Sequence, residues 1–219
     1  MPPDPIPLRR RAAAHGLTLL AVVPAPMEEG AWVPADPAFG SELVEEGGLA
    51  ALVAPAPAPG ADAAPEHVTA RHWEVHRALL RGDVAPAPVG IVFDSADDVR
   101  AFLAESHAAL HGALDRVAGR WEFRLHVGVT EQGLARQMAL DLSTHIYAEL
   151  RRISAGAMTL APAAGGVLSA AFLVERSASV AFQDRAEVLG HLNGALALDL
   201  TGPWPAYDFV HMHAVTPGA

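Results

Sequence analysis

The sequence contains no cysteine and no lysine. Without thiols there are no disulfides, thiolate metal sites or cysteine nucleophiles, which fits a reducing cytoplasm. Without lysine the phosphate loop G-x-x-x-x-G-K followed by Ser or Thr cannot be written. All 15 bases are arginine, which in so alanine-rich a chain reflects GC-rich coding. Charge is sparse and one-sided: 18% of residues are charged, and 25 acids against 15 bases leave a net charge of −10. Such a field repels phosphate backbones. After Arg9–Arg11 the only neighbouring bases are Arg151 and Arg152, so nucleic acid is not a predicted partner. No apolar run approaches the roughly 20 residues of a membrane span, and no membrane role is predicted.

Other motifs are missing too. No G-x-G-x-x-G follows a predicted strand, and the G-x-S-x-G elbow is absent. The carboxylate pairs Glu45–Glu46 and Asp97–Asp98 are adjacent in sequence, so they do not face each other and read as surface or cap residues. No catalytic residue, cofactor or metal site is assigned. The 11 histidines include two i, i+4 pairs on predicted helices, His72–His76 and His107–His111, a spacing that zinc can use. H-W-E-V-H is not the zinc-protease pattern, however, because its Glu is one position off. No third ligand is indicated, so these histidines read as partly buried or interface groups. His211 and His213 fall in the tail.

What is present is a large apolar fraction, 51%, punctuated by 18 prolines and 19 glycines over 219 residues. That length suits one large domain or two small ones. Residues 1–16 read as a flexible arm. Arg9–Arg11 ahead of Leu17–Val23 has the outline of a twin-arginine leader, but the apolar run is short and Pro24 stops it, so a first buried strand is the better reading. Residues 24–40 read as a loop, Leu49–Ala54 as a strand, and Pro55–Pro65 as a loop. Val68, His72, Val75 and Leu79, widened by Trp73, His76 and Leu80, predict a helix over 66–81. Val89–Phe93 reads as a strand. Ser95 caps a helix reaching Val117 through Val99, Phe102, Leu103, Leu110 and Leu114, with Asp97 and Asp98 in its first turn. Residues 17–119 thus form an N-terminal α+β domain of order ββαβα.

From Trp121 the order becomes βαββαβ: strand 121–129, helix 131–153, short strand 158–160, strand 167–175, helix 180–191 with Val180, Val188, Leu189 and Leu192 inward, and strand 195–200. This is the ferredoxin-like split-βαβ order, with an antiparallel sheet and both helices on one face, over residues 120–202. The predicted fold class is α+β with two domains and a closing segment, 203–219.

That segment, TGPWPAYDFV (Thr201–Val210), is the most informative feature. Gly202 permits a turn, Pro203 and Pro205 stiffen it, and Trp204, Tyr207 and Phe209 present three aromatics within six residues. Two readings stand side by side: a clasp whose aromatics plug the core between domains, or a preorganised docking surface. On the clasp reading Trp204 and Tyr207 pack between the domains.

LTGPWPAYDFV also resembles the C-terminal signature of the gas vesicle protein F/L family (GvpF/GvpL), which runs Gly-Pro-Trp-Pro-Pro-Tyr-Ser-Phe-Val. Ala206 and Asp208 replace its later Pro and its Ser. LTLLAVVPA, HVTARHWEVHRALL with APAPVGIVFDSADDVRAFL, GRWEFRLHVGV and AAFLVERSASVAFQDRAEVL are similar to further family segments. The central strand Pro88–Phe93 lacks the Arg often found there, and a long helical insert of some members is reduced to Leu134–Pro162. The resemblance implies an accessory or minor structural protein of cytoplasmic gas vesicles. It would assist shell nucleation and assembly by contacting the shell protein GvpA and other accessory proteins, with no catalytic residues. The alternatives are a ferredoxin-like small-molecule-binding or sensory module, and a metal-dependent enzyme built on the histidine pairs.

Overall fold

The computed structural model describes residues 16–26, 32–34, 36–58, 61, 64–130 and 134–212. Most of the arm expected at 1–16, with the arginine triplet, and His213 lie outside them. The described chain is a mixed α+β protein with two antiparallel sheets and five α-helices. It divides into two compact units, one comprising 1–118 and 205–219, the other 119–204.

The first sheet is built on β1 (Leu17–Pro24), a continuous apolar run. Its residues are buried from Thr18 to Val23, as a central strand flanked on both edges requires. On one side it pairs with β3 (Leu49–Pro55), which in turn pairs with β2 (Glu42–Glu46). On the other side lie two fragments, β4 (Ala85–Pro86) and β5 (Val92–Phe93). The strand expected over 89–93 is therefore shorter, because Val89 and Gly90 form a turn and Gly90 has φ 91°. β2 falls just beyond the loop read over 24–40 and was not foreseen: its pattern E-L-V-E-E buries only Val44.

The helix α1 (Pro65–Arg81) starts on a proline, whose missing N–H costs nothing at that position. Its buried residues are Arg71, Glu74, Val75, Ala78 and Leu79, whereas Val68, Trp73 and Leu80 are exposed. The expected apolar stripe is thus rotated, and two charged side chains hold the inner face. Arg71 has a specific reason to be there. β1 bulges between Leu19 and Ala21 in its pairing with β3, and on its other edge β4 and β5 leave a gap at the same level. The Arg71 guanidinium fills that gap and donates to the carbonyls of Leu19 (2.9 Å), Leu20 (3.4 Å), Ala87 (2.5 Å) and Pro88 (3.3 Å). Burial lowers its pKa, with Tyr207 opposing that shift. Glu74, also buried, accepts from the Ser41 hydroxyl (2.8 Å) and the Asp36 N–H (3.2 Å), and Ser41 accepts from the Trp32 indole (2.8 Å).

The Ser95 hydroxyl accepts the Asp98 N–H at 3.2 Å and so caps α2 (Ala96–Glu105). The single helix expected to Val117 breaks at Ser106 into α2 and α3 (His107–Val117).

The second unit runs β6 (Arg120–Val129), α4 (Arg136–Arg152), β7 (Gly156–Leu160), β8 (Leu168–Glu175), α5 (Ser179–Leu192), β9 (Leu196–Trp204). The strand order is β7-β8-β6-β9, with all pairs antiparallel. Alternate residues Phe123, Leu125 and Val127 of β6 join Ala170, Phe172 and Val174 of β8. They meet Ala139, Ile146 and Leu150 of α4 and Phe182, Ala186 and Leu189 of α5 in one core. Both helices therefore cover the same face. The α5 phase differs from expectation: of the four residues placed inward only Leu189 is buried, while Val180, Val188 and Leu192 are 67%, 45% and 73% exposed. Small Ser179 and Ala186 take the inner positions beside Phe182.

Glu149 ties the two helices together, accepting from Arg185 of α5 (2.7 Å) and from Arg152 (2.9 Å). Its carboxyl pKa is lowered, first by the Arg185 hydrogen bond, with Arg152, Arg185 and His145 adding to this and burial opposing it. A depressed carboxylate contributes stability that is present above its unfolded pKa and is lost as pH falls through the folded value. Glu149→Gln is expected to lower the melting temperature at neutral pH and to match the parent protein once pH drops below the carboxylate range. Melting curves across pH check this. Arg71→Met removes the guanidinium's hydrogen bonds to the carbonyls of Leu19, Leu20, Ala87 and Pro88, most of them buried, and is expected to cost on the order of 2–4 kcal/mol, read from urea unfolding.

Candidate functional site

The closing segment begins inside β9. Glu122 pairs with Trp204 and Arg124 with Thr201, so Gly202 and Pro203 together stand opposite Phe123. This is a β-bulge, and it explains two residue types. Gly202 has φ +135°, and a Cβ there would lie 2.8 Å from Phe123 Cδ1 and 2.9 Å from the Glu122 carbonyl oxygen. Pro203 brings no N–H to a position where the ladder is interrupted. The peptide between the two is cis. Trp204 is half-buried, and its indole N–H donates to Thr201 Oγ1 at 3.1 Å. Glu122 beside it is fully buried and accepts from Arg124 at 2.7 Å.

Between Trp204 and Pro205 the chain passes from the second unit to the first. There Pro205, Ala206, Val210 and Met212 are buried, while Tyr207 and Phe209 are half-buried in a 3-10 turn, Tyr207–Phe209. Small and aliphatic residues of the segment are fully buried in the first unit, and Tyr207 and Phe209 are half-buried beside them. The turn is tight: the Tyr207 N–H donates to the Pro205 carbonyl at 2.7 Å. Arg116 of α3 donates to the Phe209 carbonyl at 3.4 Å. The Tyr207 ring stacks on His72 of α1, with centroids 6.4 Å apart.

Tyr207 thereby meets the histidine face of α1. His72 and His76 stack at 6.0 Å, and Trp73 lies edge-on to His76 at 6.0 Å. Trp73 is 56% exposed. The other pair, His107 and His111, has centroids 4.5 Å apart, and His107 Nε2 lies 2.9 Å from the Gly47 carbonyl. Among the described residues no group of three or more His, Asp or Glu side chains is placed to hold a metal ion. Each pair packs ring against ring. Of the six residues singled out in the sequence, Gly202, Pro203 and Trp204 close β9, while Pro205, Tyr207 and Phe209 dock in the first unit. Sequence reasoning missed the buried Arg71, the neighbour of His72 on α1. Arg71 shares the inner face with Val75 and Ala78 at i, i+4, i+7, but a search for apolar stripes passes over a charged residue.

The family model described as gas vesicle synthesis protein GvpL/GvpF matches residues 21–142 and 132–211. The chain belongs to the GvpL/GvpF family. It is 26% identical over 147 residues to gas vesicle protein F2 of Halobacterium salinarum, an alignment covering 65% of this chain and 67% of that protein. Its fold is similar to crystal structures of GvpF from an Anabaena species (TM-score 0.75, 17% identity, 92% of this chain and 100% of that one) and from Microcystis aeruginosa (TM-score 0.77, 13% identity, 90% and 99%). The GvpL/GvpF family is a gas vesicle family and not a known enzyme family. No helix of the described residues is long and apolar enough to cross a membrane.

The bulge generates a prediction for this GvpL/GvpF member. Gly202→Ala forces a Cβ against backbone and a buried ring at a left-handed φ, and is expected to cost about 1–3 kcal/mol. A lowered urea midpoint with an unchanged slope is the outcome to look for.

Proposed function

We propose that this protein is a non-catalytic accessory or minor structural component of gas vesicles in the cytoplasm. It assists nucleation and assembly of the shell by binding the shell protein GvpA and other accessory proteins. The observation that carries the reading is the family match, which runs from residue 21 to residue 211 and includes the closing segment. The physics supports it. A β-rich shell protein exposes apolar surface before it assembles, and such surface aggregates. A partner with net charge −10 stays soluble while covering it.

The proposed architecture is two domains, 17–119 and 120–202, preceded by an arm at 1–16 and followed by the closing segment 203–219. The compact units support this division, with Pro205 onward counted in the first. The second domain is read as ferredoxin-like, supported by the order β7-β8-β6-β9 and helices on one face. Within it Gly202, Pro203 and Trp204, with Pro205, Tyr207 and Phe209 beyond it, act as a clasp that holds the structure in its binding form. Trp204→Ala then weakens stability first and partner binding only as a consequence.

The test is capture of GvpA by the purified protein together with deletion of its gene. The expected result is retention of GvpA on the immobilised protein, and cells with few or misshapen vesicles. No capture combined with normal vesicles would overturn the proposal.

A further inference from the structure

The outer strands of the two sheets are guarded unequally. In the first unit β2 carries Glu42, Glu45 and Glu46 in five residues, and β4 and β5 are two residues each. In the second unit β9 carries Asp199 and the Gly202–Pro203 bulge. Charges, prolines, bulges and shortness are the devices that stop an edge from pairing with another chain. The remaining outer strand, β7 (G-A-M-T-L), has none of them. It pairs only with β8, so alternate residues turn their N–H and C=O groups outward. Among the described residues no hydrogen bond reaches those groups. The strand also lies in the longest stretch of the chain without a charged side chain, Ile153 to Val174.

We propose that β7 pairs antiparallel with β7 of a second copy of this chain, about a two-fold axis at Met158, joining two four-stranded sheets into one of eight strands. Three observations favour a second copy. The register is self-complementary, setting Gly156 against Leu160 and Ala157 against Thr159, small against larger. Two chains of net charge −10 repel one another, and the uncharged hairpin is where they approach at least cost. Pairing consumes the unguarded edge of each copy and leaves β9 at both outer margins, so assembly closes at two.

The experiment is sedimentation of the full chain across the micromolar range. The expected mass is twice the 22.9 kDa of one chain, returning to a single chain in Thr159→Lys. That variant places a charge on an exposed edge position and sets two like charges on one face of the joint sheet. Because the chain has no cysteine, Met158→Cys gives a second readout independent of Thr159. The two copies' positions fall opposite each other within disulfide reach, so mild oxidation yields a covalent dimer. Ala197→Cys on β9 stays single. A parent protein that sediments as one chain at every concentration overturns the proposal, as does a dimer that survives Thr159→Lys with unchanged circular dichroism. Met158→Cys cross-linking no faster than Ala197→Cys also overturns it. A strand supplied by a different protein corresponds to the first of these outcomes.

Discussion

The contact on which the first unit depends is the guanidinium of Arg71 inserted among four backbone carbonyls. A sheet in which one neighbour of the central strand is broken into two short pieces leaves carbonyl lone pairs that the ladder does not use. Leu19, Leu20 and Ala87 are buried, and a buried carbonyl short of partners is costly. A planar group with several donors suits such a gap better than a point charge does. The same residue fixes α1 against β1, and through that helix it sets the positions of Glu74 on one side and His72 on the other. Glu74 gathers the segment around Asp36 and Ser41, and His72 receives Tyr207. One buried charge thus organises the sheet edge, a long loop and the docked end of the chain.

The closing segment works by a different constraint. Its identity at Gly202 is dictated by space: Phe123 and the Glu122 carbonyl leave no room for a side chain. Its identity at Pro203 follows from an interrupted ladder, and that at Ala206 from burial. A motif that draws attention through its aromatics is therefore shaped mainly by its backbone and its small residues. The aromatics border the surface, where Tyr207 extends the ring cluster of α1.

Much of the fold was legible in the residues. Leu17–Val23 and Leu168–Val174 are apolar runs bounded by turns, and they became central strands. The βαββαβ element order of the second unit emerged as read. What escaped has physical causes. The α5 sequence has apolar residues on all sides, so periodicity did not say which side packs, and small residues won the inner positions. Arg71 and Glu74 were invisible to a rule that looks for apolar stripes, because their burial depends on acceptors and donors elsewhere in the chain. β2 alternates too weakly, and the break at Ser106 has neither proline nor glycine to announce it. The aromatic, proline-rich composition located the closing segment, but sequence alone could not say that Ala206 and Val210 would be its buried members.

The path of the chain adds a matter of timing. The first unit is discontinuous: it receives residues up to Ala118, then waits while the second unit is made, and receives Pro205 to Met212 afterwards. On a ribosome Ala206, Val210 and Met212, which are buried in the first unit, arrive only after the whole second unit has been synthesised. The second unit is contiguous and can complete its core first. Docking of the closing segment is therefore the step that joins the most distant parts of the sequence, and it reports that the chain has been translated through both units.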